Sequence, residues 1–240
     1  MRIITGRLRG RSLPFSQRRH GDVRVTSSRL KEAVFARLGP LDGVHWLDLC
    51  AGSGQIGLEA YSRGARVVAV EPDRRRGASL RSLLKEWRIT DGMDLRARRA
   101  EMVIKELKTQ VQDGSVDRFD FVYIDPPYHA RRASLPLCQA LLQDIATSDI
   151  LARDGLVLVQ HDRRQELPES VPPLARQDER LYGDSLLSVY GPVEEPVATG
   201  IGEVMPGASD LPPIEGEVPP EGPPTEPPID PPVDQFGATS

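Results

Sequence analysis

Between residues 26 and 191 the chain alternates short apolar runs with amphipathic stretches. Leu30, Val34 and Leu38 recur at helical spacing behind Ser27 and Ser28, either of which can cap the helix. Val44–Leu49 (VHWLDL) reads as a buried strand, and a glycine turn leads from it into a helix over about Gln55–Ser62, with Gly64 just past its end. Ala65–Val70 is the next strand and Arg74–Trp87 the next helix. A weaker strand near Asp94–Ala97 precedes a helix near Met102–Gln110. Phe119–Ile124 (FDFVYI) is a strand, Leu135–Ile145 a helix and Gly155–Gln160 a strand. Strands that are apolar throughout and separated by helices predict a parallel sheet covered on both faces. The final stretch, ARQDERLYGDSLLSVYG, holds two strand-like runs around Gly183-Asp184, the signature of an antiparallel hairpin. The expected architecture is α/β, a mostly parallel seven-stranded sheet closed by a C-terminal hairpin.

Composition divides the chain. From Pro192 to Ser240 there are 13 prolines, ten acidic residues, no Lys or Arg, and a single aromatic residue, Phe236. Such a segment cannot bury enough apolar surface to offset the entropy of ordering it, so residues 192–240 are expected to form a disordered acidic tail. All 31 Lys and Arg then lie in residues 1–191 against 25 Asp and Glu, which makes this part basic although the whole chain carries −4. Residues 1–37 concentrate the bias, with ten Lys or Arg against Asp22 and Glu32. A basic N-terminal arm (1–25) ahead of one domain (26–191) suits a polyanionic partner, although a solvated charged surface gives the same count. No apolar run reaches membrane-spanning length and the N-terminus lacks an apolar signal core, so no membrane association is expected. Cys50 and Cys138 have neither metal-ligand nor redox spacing, and His20, His45, His129 and His161 form no ligand pattern. A cytoplasmic protein without metal is expected.

In open sheets of this kind ligands sit beyond the carboxyl ends of the strands, and Asp48, Glu71 and Asp125 all fall at such ends. Gly52-x-Gly54-x-x-Gly57 formally matches a dinucleotide fingerprint, with Glu71 seventeen residues after Gly54, but the need for close backbone approach is shared by several cofactors. Asp48, four residues before Gly52, favours a cationic cofactor over a pyrophosphate, which it would repel. Asp125-Pro126-Pro127-Tyr128 ends a buried strand in a stiff loop. An exocyclic amine on a nucleobase is a poor nucleophile because its lone pair is delocalised into the ring. The Asp125 carboxylate and the Pro126 carbonyl can hold the two amine protons and free that lone pair, while Tyr128 offers a face for an extruded base, worth ~1–3 kcal/mol.

Asp48 with Gly52 and Gly54, followed by Asp-Pro-Pro-Tyr, resembles the cofactor and [DN]-P-P-[FYW] motifs of class I S-adenosylmethionine-dependent amino-methyltransferases. More narrowly, MRIITGRLRGRSL, VTSSRLKEAVF, WLDLCAGSGQIGLEAYSRGA, DPPY and YGDSLLSVY resemble the RsmD family over residues 1–191. That family comprises bacterial 16S rRNA methyltransferases acting on N2 of guanine 966. The resemblance implies a Rossmann-like class I fold, S-adenosylmethionine as cofactor, and 16S rRNA in a small-subunit ribosomal particle as partner, with the protein monomeric. It implies Asp125, Pro126, Pro127 and Tyr128 around the base, and Asp48, Ala51, Gly52, Gly54, Glu71 and Glu101 around the cofactor. Arg7, Arg9, Arg11, Thr26, Arg29 and Lys31 are the implied RNA contacts. The chain departs from the family pattern at Val25, at Ser82, at Gln160, where a Glu is usual, and at Arg99, where an acid or Asn near the adenine is usual. Glu101 is the carboxylate nearest in sequence to that last position. Other amine acceptors (DNA adenine, a protein glutamine), a dinucleotide-dependent oxidoreductase and a catalytically silent RNA-binding module remain as alternatives.

Overall fold

The computed structural model describes residues 1–13 and 28–193. In chain order the elements are α1 (Ser28–Leu38), β1 (His45–Asp48), α2 (Gln55–Ser62), β2 (Arg66–Val70), α3 (Arg74–Glu86), β3 (Met93–Arg96), α4 (Ala100–Gln112) and β4 (Phe119–Ile124). They continue with β5 (Arg131–Arg132), β6 (Leu135–Pro136), α5 (Leu137–Ala146), β7 (Leu151–Asp162), β8 (Ser170–Val171), β9 (Leu174–Tyr182) and β10 (Ser185–Pro192). One sheet carries the order β3-β2-β1-β4-β7-β10-β9-β8. Pairings from β3 to β7 are parallel, and those from β7 through β10 and β9 to β8 are antiparallel. The sheet thus has an eighth, two-residue edge strand beyond the seven expected. β8 was illegible because two residues carry no period.

Alternation along the strands sorts side chains onto two faces. Trp46, Val67, Ala69, Tyr123 and Leu158 join α1, α2 and α3 in one cluster. Leu47, Val70, Val122, Ile124, Val157 and Val159 join α4 and α5 in the other. This is why the strands read as continuous apolar runs: each residue meets a helix layer on one side or the other. Among the described residues no helix is long and apolar enough to cross a membrane.

The N-terminus departs from expectation. Residues 1–13 do not stand apart as an arm; Ile3, Leu8 and Leu13 are buried in the same cluster as α1 to α3. The segment folds back on itself, with the Ile3 N–H donating to Arg11 (2.9 Å) and the Leu13 N–H to Met1 (2.9 Å). It lies flush on α2: at Gly6 (φ 81°) a Cβ would meet the Ser62 carbonyl oxygen at 1.8 Å, so only glycine permits the contact. Composition could not show this, because three apolar residues among six basic or hydroxylic neighbours carry the burial. Ser27, one of the two possible caps of α1, and the acidic Pro-rich segment from residue 194 onward lie outside the described residues.

Candidate active site

β2, β1 and β4 are adjacent and parallel, so their carboxyl ends open on the same side of the molecule. The chain order reverses between β1 and β4, which leaves a crevice where two crossovers diverge. A cavity of about 330 Å³ fills it, lined by Gly52, Glu71, Asp125, Pro126, Pro127 and Tyr128 among others. The glycine turn and the Asp-Pro-Pro-Tyr loop, 73 residues apart from Gly52 to Asp125, therefore share one reaction space.

The glycine turn is organised from beneath. The Asp48 carboxylate accepts from the Cys50 N–H (3.3 Å) and the Gly57 N–H (3.1 Å), tying the loop after β1 to the first turn of α2. Ala51 donates to the Val70 carbonyl (2.9 Å) and accepts from the Gly54 N–H (2.7 Å). Gly54 is left-handed (φ 81°), and a Cβ there would stand 2.6 Å from Leu80 Cδ1, so the turn into α2 requires glycine. Asp48 is 1% exposed and does not itself line the cavity; its two backbone donors place it beneath the turn as a support. Burial raises its pKa to about 7, offset in part by the two backbone donors and reinforced by the Asp125 and Glu71 carboxylates.

Glu71, also buried, does line the cavity. Its Oε2 accepts from the Gly52 N–H (2.9 Å), and its Oε1 from the Asp73 N–H (2.8 Å) and Arg76 (2.9 Å). With two lone pairs per oxygen, Oε1 is saturated and Oε2 can accept once more. A diol ligand would gain one hydrogen bond directly and a second by displacing Arg76.

The Asp-Pro-Pro-Tyr loop is held from both sides. Asp125 is half-buried at the end of β4, Pro126 is buried, Pro127 is exposed and Tyr128 half-buried. The Pro127 carbonyl accepts from the Ala130 N–H (2.8 Å), and the Tyr128 carbonyl from Gln165 Nε2 (2.7 Å). Beneath it the Tyr123 hydroxyl donates to Gln160 Oε1 (2.7 Å), both buried, which gives the glutamine at the usual Glu position a neutral partner.

The other expected residues divide. Glu101 lines the cavity beside Arg99, with 3.6 Å between the charged groups. Arg29 is exposed on α1, and Thr26 lies outside the described residues. Lys31 is a correction: it is buried, and its Nζ donates to the Arg2 carbonyl (2.6 Å) and to Glu59 Oε2 (3.3 Å). Its charge is consumed in fastening the N-terminus and does not reach RNA. Arg7, Arg9 and Arg11 are all exposed; Arg7 stacks on Tyr61 (3.6 Å) and Arg11 covers Trp87 (5.3 Å). Tyr61 and Trp87 stand at the C-terminal ends of α2 and α3. In a β-α-β crossover those ends lie by the amino ends of the strands, away from the cavity. Arg7 and Arg11 therefore do not belong to the reaction centre.

Sequence reading missed four residues. Glu59 carried a usable signal, a carboxylate inside a helix that is buried along its whole length. Gln165, Arg131 and Arg132 carried none, since their partners are set by tertiary contact.

The sequence matches the family described as Conserved hypothetical protein 95 (Cons_hypoth95) over residues 1–191. YlbH of Bacillus subtilis (strain 168) is 33% identical over 192 residues, covering 79% of this chain and 98% of that protein. Ribosomal RNA small subunit methyltransferase D of Escherichia coli (strain K12) is 30% identical over 192 residues, covering 79% and 89%. The solved structure of yhhF from Escherichia coli superposes with a TM-score of 0.63 at 26% identity, covering 80% of this chain and 97% of that one. With a family match across residues 1–191, relatives aligned over nearly their whole length and the class I methyltransferase strand order, this chain belongs to the RsmD family.

Proposed function

We propose that this chain transfers a methyl group from S-adenosylmethionine to the exocyclic N2 amine of a guanine in small-subunit ribosomal RNA, acting as a cytoplasmic monomer on a ribosomal particle. One observation carries the reading: Asp125-Pro126-Pro127-Tyr128 opens on the same cavity as Gly52 and Glu71. Family membership supports ribosomal RNA as the substrate class.

The residues present fit the cofactor. Three carboxylates, Asp48, Glu71 and Asp125, lie close enough to act on one another electrostatically, which favours a cation and disfavours the pyrophosphate of a dinucleotide. Glu71 has acceptor capacity for a ribose hydroxyl, the Gly52 backbone allows close approach, and Glu101 on the cavity wall is the carboxylate available to the adenine end. When bound, S-adenosylmethionine supplies an electrophilic methyl group on a positively charged sulfur.

The chain's own residues account for the rest. The Asp125 carboxylate and the Pro126 carbonyl accept the two amine protons, which turns the nitrogen lone pair away from ring conjugation and toward the cofactor. Pro126 and Pro127 restrict the loop, so little ordering is needed when the base arrives. Tyr128 stacks on the base, and Gln165 fixes the backbone that carries the ring. After transfer the nitrogen is acidic, and its proton leaves through Asp125 to water.

The test is methyl transfer to small-subunit particles lacking the modification, with the product nucleoside identified by mass spectrometry. N2-methylguanosine is expected; N6-methyladenosine, or methylglutamine in ribosomal protein, would redirect the assignment. Asp125→Ala should lower kcat by about 10²–10³-fold. Transfer by that variant at the wild-type rate would refute the base-holding role.

A further inference from the structure

We propose that the hairpin following the Asp-Pro-Pro-Tyr loop is a rigid basic lip that grips the RNA phosphate beside the target base, Arg131 being the phosphate contact and Arg132 the residue that positions it. The inference rests on the methyltransferase reading above and adds to it the group that recognises the backbone.

β5 and β6 pair as a small antiparallel hairpin whose turn holds Ala133 at φ 53°. Four contacts fasten it. Arg132 grips the Asp144 carboxylate with both terminal nitrogens (Nη2 to Oδ1, 2.9 Å) and donates to the Ala140 carbonyl (2.8 Å), binding the hairpin to α5. The Leu137 N–H donates to the Ala130 carbonyl (2.9 Å), and the Ala130 N–H to the Pro127 carbonyl (2.8 Å), so hairpin and loop form one piece. Arg131 is exposed on this piece and lines the cavity, its guanidinium touching only the Ser134 carbonyl of its own turn among the hydrogen bonds described.

Charge is segregated in the cavity. Its floor gathers Glu71 and Asp125, with Asp48 buried beneath and close enough to act on both, an arrangement suited to a cation. Four arginines line its walls, and two of them are committed, Arg76 to Glu71 (2.9 Å) and Arg132 to Asp144. Arg99 stands on the β3–α4 side beside Glu101. Of the two cavity arginines carried on the same piece as Tyr128, where an extruded base would stack, Arg131 is the one not bound to Asp144. An extruded base leaves its sugar and phosphates outside the pocket, against the rim. A fixed guanidinium there matches a phosphate through several donors at once.

The measurements are RNA affinity by fluorescence anisotropy at several salt concentrations and methyl-transfer kinetics on small-subunit particles. For Arg131→Ala, kcat/KM should fall about tenfold, mostly through KM, and the slope of log affinity against log salt should become shallower by about 0.7–0.9, the release of one phosphate contact. Arg131→Lys should keep the slope while losing part of the affinity. Asp144→Ala separates position from charge: it removes a negative charge, so electrostatics alone expects tighter RNA binding, whereas loss of the anchor expects weaker. Wild-type melting temperature and S-adenosylhomocysteine affinity in Arg131→Ala exclude misfolding as the cause. Unchanged affinity and slope in Arg131→Ala, or tighter binding in Asp144→Ala, would overturn the lip. A wild-type protein that binds RNA but methylates no particle would refute the methyltransferase reading instead, and the anisotropy series would still judge Arg131.

Discussion

Removing Glu59 should unfasten the N-terminus and cost far more than removing its partner Lys31. Glu59 is fully buried, and its two oxygens accept from the Ile4 N–H (2.8 Å), the Thr5 N–H (3.1 Å), Lys31 Nζ (3.3 Å) and Arg63 Nε (3.1 Å). Glu59→Leu leaves two backbone donors and a buried ammonium without their acceptor. Each stranded donor costs about 1–3 kcal/mol. Lys31 keeps the Arg2 carbonyl and Arg63 keeps the Phe35 carbonyl (3.0 Å), which limits the remainder. The expected loss is about 4 kcal/mol, a large share of the 5–15 kcal/mol typical of a domain. Lys31→Met leaves the carboxylate with both backbone donors and Arg63, so about 2 kcal/mol is expected, below the ~3–5 kcal/mol of a fully broken buried pair. Urea denaturation of each variant measures both values, and melting temperature should fall by roughly 2–4 °C per kcal/mol for a domain of this size. The double variant should cost less than the sum, because Leu and Met remove both charges together. A Glu59→Leu loss below ~1 kcal/mol, or a Lys31→Met loss exceeding it, would refute the account of Glu59 as the organiser.

Other consequences follow from the site. Because the Asp48 pKa is raised to about 7, the folded protein holds that proton more tightly than the unfolded chain. The stabilising contribution is complete below about pH 4 and is lost as pH rises through 7. A bound cation favours the ionised form, so calorimetric affinity for S-adenosylmethionine relative to S-adenosylhomocysteine, which lacks the sulfonium charge, should climb by up to about tenfold per pH unit toward 7 and then level off. A flat ratio between pH 5.5 and 8.5, or a sloping one retained in Asp48→Asn, would contradict this. Gln165→Leu should lower kcat about tenfold through a loosened Tyr128 backbone while leaving S-adenosylhomocysteine affinity at the wild-type value. Gln165→Lys, which restores a donor, should recover part of the rate, and failure of that rescue would deny the positioning role.

The sequence by itself determined the helix–strand order, the parallel core of the sheet, the hairpin at Gly183-Asp184 and the two motifs at strand ends. These are legible because they are local: a strand sandwiched between helix layers must be apolar throughout, a turn into a helix must tolerate positive φ, and a stiff loop needs proline. Tertiary structure alone decided which polar groups meet. Lys31 reads from its spacing as a surface cation of α1, yet it is buried against Glu59, because the first thirteen residues fold over that face and cover it. Asp48 reads as a ligand contact, yet lies beneath the turn it ties together. Arg7 and Arg11 read as RNA contacts on a basic arm, and only the tertiary structure stacks them, still exposed, on Tyr61 and Trp87, away from the cavity. Gln165 reaches the Tyr128 carbonyl across 37 residues with no motif to announce it. The difference is physical: periodicity and backbone chemistry act over a few residues and leave a trace in the sequence. The partner of a side chain depends on how distant segments pack, and a single sequence leaves no local trace of that.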